Sequence, residues 1–203
     1  MRRSYLKFLC LAPFLMAIDC EPEQLGPQYA FNISKVTISP QSTYSINDTI
    51  WISGRVSSNA YDLTTSDSIF GIEPQSDRLG LFKLMASDGI SNSFDAVDHF
   101  ELIKDNSTYS FIQACENADI IVRPSLEQEE SFYSYRLGLK ALYPGDYVIS
   151  VIDGQLQNMN RHDTIIEAYP IPNLPNAIGF NRCGRTSWVY LSQTEDEFYF
   201  SVN

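Results

Sequence analysis

Four cysteines and two histidines carry the least common chemistry in this sequence of 203 residues. The cysteines are Cys10, Cys20, Cys115 and Cys183, and none forms a CxxC or a Cys/His cluster. A zinc-type ligand set is therefore missing from the sequence pattern. His99 follows Asp98, and His162 lies in Arg161-His162-Asp163. A hydrolase needs a histidine oriented by a carboxylate and set against a nucleophile. Successive strand residues point to opposite faces, so Asp98 is badly placed to orient His99. There is no GxSxG, no P-loop, no HExxH and no GxGxxG. The expectation is no catalytic residue and no enzyme. A hydrolase survives only as a weak alternative built from residues distant in sequence.

The acids are numerous: 25 Asp and Glu against 14 Lys and Arg, a net charge of −11. This balance excludes nucleic acid as a partner, because little is available to neutralise phosphates. Glu127, Glu129 and Glu130 cluster, as do Glu195, Asp196 and Glu197, and they read as solvated loops. Weak Ca²⁺ binding is the alternative there, and for Asp62, Asp67 and Asp77. No other cofactor or metal is expected. Trp51 and Trp188 are candidates for stacking on sugars; the competing reading is partial burial beneath loops.

The N-terminal stretch has an export pattern. Arg2, Arg3 and Lys7 precede the uncharged run Phe8 to Ile18, which is too short to span a bilayer. Cys20 follows at once, in Ala17-Ile18-Asp19-Cys20. This arrangement resembles the signal of bacterial lipoproteins, and the acidic Glu21-Pro22-Glu23 resembles the Bacteroidota type. The resemblance implies a lipidated Cys20 and anchoring at the outer membrane, on its periplasmic or cell-surface face. Ala17, Ile18 and Asp19 depart from the usual Leu, small residue and Gly/Ala/Ser before that cysteine. Cleavage after Ala17, giving a soluble secreted protein, is the alternative. Asp48-Thr49-Ile50, Asp67-Ser68-Ile69 and Asp163-Thr164-Ile165 resemble O-glycosylation acceptors of the same bacteria.

Those segments must be carried by something, and hydrophobic period two runs nearly throughout. Ile50, Ile52 and Val56 alternate; so do Tyr133, Tyr135, Leu137 and Leu139, and then Tyr147, Ile149 and Val151. The phase change between Phe31-Ile33 and Val36-Ile38 predicts a bulge near Ser34-Lys35. Residues 57–78 read as a long loop and Ile165 as a strand. Leu79 to Ala86 is apolar enough for a central strand. Leu142-x-Pro144-Gly145-x-Tyr147 resembles the corner of immunoglobulin-like and fibronectin-like domains, which implies that Tyr147 bonds back across that corner.

The fold expected is all-β: an antiparallel immunoglobulin-like β-sandwich with long loops and an irregular C-terminal extension. The domains expected are a signal at 1–19, a lipidated cysteine and tether at 20–28, and a sandwich at 29–168. Residues 169–203 would pack on it. Cys115 and Cys183 are either a disulfide, natural in an oxidising compartment, or two buried thiols. The function expected is a membrane-anchored, non-enzymatic binding or scaffolding protein of the cell envelope. Its partners would be the membrane, and a polysaccharide or another envelope protein.

Overall fold

A computed structural model describes residues 28–105, 107–112, 115–160, 163–190 and 196–203. Its strands, in chain order, begin with β1 (Tyr29–Ala30), β2 (Ser34–Ile38), β3 (Thr43–Tyr44), β4 (Thr49–Ser57), β5 (Asn59–Asp62) and β6 (Asp67–Phe70). Next come β7 (Asp77–Leu84), β8 (Ser93–Asp95), β9 (Phe100–Lys104), β10 (Thr108–Phe111), β11 (Asp119–Arg123) and β12 (Ser125–Leu126). The long pair β13 (Phe132–Ala141) and β14 (Gly145–Val151) leads to β15 (Gly154–Leu156) and the short helix α1 (Asp163–Glu167). The hairpin β16 (Ala177–Arg182) and β17 (Arg185–Tyr190) precedes the last strand, β18 (Glu197–Val202).

These strands form an all-β sandwich. One sheet runs β12-β13-β4-β2-β15, with β9 also on β13. The second runs β17-β16-β8-β7-β14-β18-β3, with β11 on β7 and β10 on β11. Pairing is antiparallel except for β15 with β2, β16 with β8 and β18 with β3.

The alternation read from the sequence builds the first sheet. Ile50, Ile52 and Val56 face inward from β4, and Tyr135, Leu137 and Leu139 from β13, all buried. All of these but Val56 meet Leu79, Leu81, Tyr147, Ile149, Phe198 and Phe200 of the second sheet in one core. The second sheet is covered on its other side too. Phe82, Val148 and Tyr199 pack there with Ile178 and Phe180 of β16, a strand of the same sheet, and with Ile166 of α1. Burial on both faces explains the continuous apolar run of β7, since neither face needs polar residues.

Four local expectations are corrected. β2 begins at Ser34, so the phase change after Ile33 is a strand start and not a bulge. Residues within 57–78 form the hairpin β5–β6, whose turn Asp62 caps by accepting from Thr64 N at 2.7 Å. Ile165 lies in α1, because a single apolar residue cannot distinguish strand from a five-residue helix. His99, read as strand, ends a 3₁₀ turn at Val97–His99 just before β9.

Candidate functional site

The outward residues of the first sheet alternate with its core residues and create a polar face. On β4 they are Trp51, Ser53, Arg55 and Ser57; on β13, Phe132, Ser134 and Arg136; on β2, Lys35 and Thr37. Register fixes how they meet. Arg136 lies opposite Ser53, Ser134 opposite Arg55, Phe132 opposite Ser57, and Lys35 opposite Arg55.

The two arginines are therefore diagonal neighbours, yet their side chains lean apart. The Arg55 guanidinium lies 3.8 Å over the Phe132 ring, and its Nη2 donates to Glu127 Oε2 at 2.7 Å. The Arg136 guanidinium lies 3.9 Å over the Trp51 ring, and its Nη1 donates to Asp105 Oδ2 at 2.9 Å. Each cation is held between an aromatic face and a carboxylate, which restricts its rotamers. The hydrogen bond from Arg55 also holds the Glu127 carboxyl below its ordinary range.

Because the arginines splay, a trough of about 1310 Å³ opens between them. Small hydroxyl residues, Thr37, Ser53 and Ser134, lie between its ends, with Lys35, Gln155 and Gln157 along one side. Gly138 makes the Trp51 position feasible. A Cβ there would come within 3.0 Å of the indole and 2.9 Å of Thr49 Cγ2. The surface that results is rich in planar amides, guanidiniums and hydroxyls, a set suited to hydrogen-bonding a polar, extended ligand.

The other expected site residues are distributed elsewhere. Cys20 and His162 lie outside the described residues. Cys115 and Cys183 form a disulfide, with Cα atoms 5.6 Å apart. Asp95 sits beside it and accepts from Cys183 N at 2.7 Å. Both sulfurs are spent in the bond, so this Asp95-Cys115-Cys183 group offers a metal little. Burial raises the Asp95 carboxyl's pKa.

Tyr147 occupies the corner as expected. Its hydroxyl donates to Tyr143 O at 3.0 Å, and His99 Nδ1 lies 3.0 Å from the same oxygen. One hydroxyl proton cannot serve both, so Nδ1 carries the proton and donates to the tyrosine oxygen. Burial, reinforced by the Lys83 charge, lowers the His99 pKa, and burial pushes Tyr147 up to about 12. The partner given to His99 is thus a tyrosine in a structural corner, with the Phe94 and Tyr143 rings beside it.

Trp51 and Trp188 stand in different sheets. One face of Trp51 is covered by Arg136, whereas Trp188, on the edge strand β17, is 46% exposed and donates from Nε1 to Ile90 O at 2.8 Å. Asp62 and Asp67 oppose each other in the β5–β6 hairpin, but Asp77 starts β7 and is buried. The three do not converge as a calcium set would.

Sequence reasoning missed Lys35, Thr37, Ser53, Arg55, Ser134 and Arg136 as a group. The signal was present as the polar half of the same alternation that reveals the core. What it lacks is the pairing register that brings three strands' polar residues together.

No family model matches the chain, and no curated protein matches it. Among solved structures, a cohesin module from a Clostridium perfringens family 33 glycoside hydrolase is similar at a TM-score of 0.30 and 9% sequence identity. That likeness covers 84% of this chain and 97% of the module.

Proposed function

We propose that this chain is a non-enzymatic binding β-sandwich of the cell envelope, anchored through Cys20, whose ligand surface is the outer face of the β2–β4–β13 sheet. The trough between Arg55 and Arg136 carries this reading. It is open enough for an extended partner, and its polar groups are held in place before anything binds, which lowers the ordering cost of association. The catalytic alternative has no comparable support, since His99 is committed to the Tyr147 corner.

A polysaccharide is the second reading of the same surface. Guanidinium–carboxylate pairs at each end of the trough could bridge adjacent sugar hydroxyls, with the carboxylate accepting and the guanidinium donating. Gln155 and Gln157 offer both roles in one amide.

The test is a photo-crosslinker at position 37, in the trough, compared with one at exposed Ala86 on intact cells. A discrete adduct from position 37 alone, lost when Ser53→Trp fills the trough, supports the reading. Protease sensitivity of that adduct marks a protein partner, and sensitivity to glycan cleavage marks a polysaccharide. Equal labelling from both positions, or none, overturns it.

A further inference from the structure

The segment Phe31-Asn32-Ile33 lines the trough on one side and a second, smaller cavity of about 240 Å³ on the other. Asp77 lines this cavity and is only 3% exposed. Its Oδ2 accepts a 2.6 Å bond from Ser34 Oγ, and the Tyr135 hydroxyl, which has no hydrogen bond of its own among the described residues, lies near enough to favour the charged carboxyl. Both groups are neutral. Among the described residues no Lys, Arg or His comes within ion-pair distance of Asp77.

The second acid of the cavity, Asp153, does have a cation: Arg78 Nε lies 3.5 Å from its Oδ2. Two carboxylates and one guanidinium leave a single negative charge without compensation. Buried charges are ordinarily paired, since the desolvation cost is otherwise large. The rest of the wall mixes apolar and aromatic residues, Tyr29, Phe31, Val56 and Pro74 among them, with polar ones such as Asn32 and Gln75.

We propose that this cavity receives a primary alkylammonium group, the chemistry shared by a lysine side chain and a free polyamine, with Asp77 as its counter-charge. A monovalent cation matches the one uncompensated charge. Calcium is a poor match, because it takes six to eight oxygens and one of the two carboxylates is already engaged by Arg78. The aromatic walls suit an alkyl stem and can attract its charged end. The volume falls below the roughly 300–1,000 Å³ of drug-sized sites, which fits a short stem and little more.

The groups facing Asp77 set a pH dependence. Burial raises its pKa, the hydroxyls of Ser34 and Tyr135 oppose that rise, and the Asp153 charge adds to it. Arg78, one residue on in β7, pairs with Asp153. Ammonium binding should therefore be strong at pH 8 and fade as the carboxyl takes up its proton.

The experiment is an amide NMR titration of the full chain at pH 8 with Nα-acetyl-lysine N-methylamide, with cadaverine and with n-butanol. Saturable shifts at Ile33, Ser76 and Asp77 with either ammonium, and none with butanol, are expected. Stronger binding of the lysine derivative assigns a protein side chain; stronger binding of cadaverine assigns a free polyamine. Asp77→Asn should weaken binding at least tenfold, while Ser34→Ala, which keeps the charge, retains it. Should Asp77→Asn fail to fold, loss of the shifts in the native chain at pH 4 replaces it. No saturable shift at pH 8, equal shifts with butanol, or undiminished binding by Asp77→Asn overturns the proposal. Ser53→Trp fills the trough and leaves this cavity open, so the two sites succeed or fail independently.

Discussion

Glu197 opens β18 with 6% of its surface exposed, and its Oε2 has no hydrogen-bond partner among the described residues. Burial, with the neighbouring charge of Asp196 second, pushes its pKa from 4.5 up to about 7. The folded chain thus holds this proton more tightly than the unfolded chain. The contribution is complete below about pH 4.5 and is lost as the pH rises through 7. A shift of that size corresponds to roughly 3 kcal/mol. Glu197→Gln should therefore raise the urea midpoint above the native chain's at pH 8, with the gap closing at pH 4. A native midpoint at pH 8 equal to or above the variant's would contradict this. At this scale some roles were legible in the sequence and others were not. Tyr147 carries a recognisable corner pattern, and two cysteines have few choices. Asp77 resembles any other acid of a polar stretch, because its environment comes from Ser34 and Tyr135, both far away along the chain.

Among the elements, the β16–β17 hairpin depends most on one covalent tie. Its turn is Cys183-Gly184, with φ of 52° and 73°, between the paired residues Arg182 and Arg185. Two positive-φ residues in a two-residue loop match the type I′ turn that suits strand twist. The hairpin's ladder pairing with β8 is short, Phe180 and Asn181, with Asn92 N donating to Gly179 O beside it. Cys183 links its tip to Cys115, 68 residues earlier. The double variant Cys115→Ser/Cys183→Ser should lose up to about 4 kcal/mol on the chain-entropy argument. Hydrogen exchange should show β16–β17 losing protection first and β4–β13 last. Uniform loss across both sheets would refute the idea that the tie acts on this hairpin. The strands themselves were largely readable, since alternation survives wherever one face meets the core. α1 and β5–β6 were not. A five-residue helix completes too few turns to show a period, and the β5–β6 pairing is specified by cross-strand backbone bonds.

For the whole molecule, charge and anchoring belong together. Residues 1–19 hold Arg2, Arg3 and Lys7 against Asp19, so the remaining chain has 11 basic and 24 acidic residues, a net of −13. Such a body is repelled by anionic headgroups. A covalent lipid would overcome that repulsion, as a single charge-based contact could not. On this reading, mass spectrometry of the mature protein should show acyl mass on Cys20, and Cys20→Ser should release the protein from membranes. An unmodified N-terminus at Ile18 would remove the anchor.

The place of β18 has a consequence for how the chain comes into being. Residues 197–202 do not trim an edge; they lie between β14 and β3, bonded to both. Until residue 197 has emerged, β14 lacks one neighbour and β3 has none in this sheet. A nascent chain moving amino end first through a narrow conduit therefore cannot close its second layer prematurely. Native closure is deferred until residues 197–202 have passed through, and the same ordering leaves any product truncated before residue 197 with an open, adhesive flank.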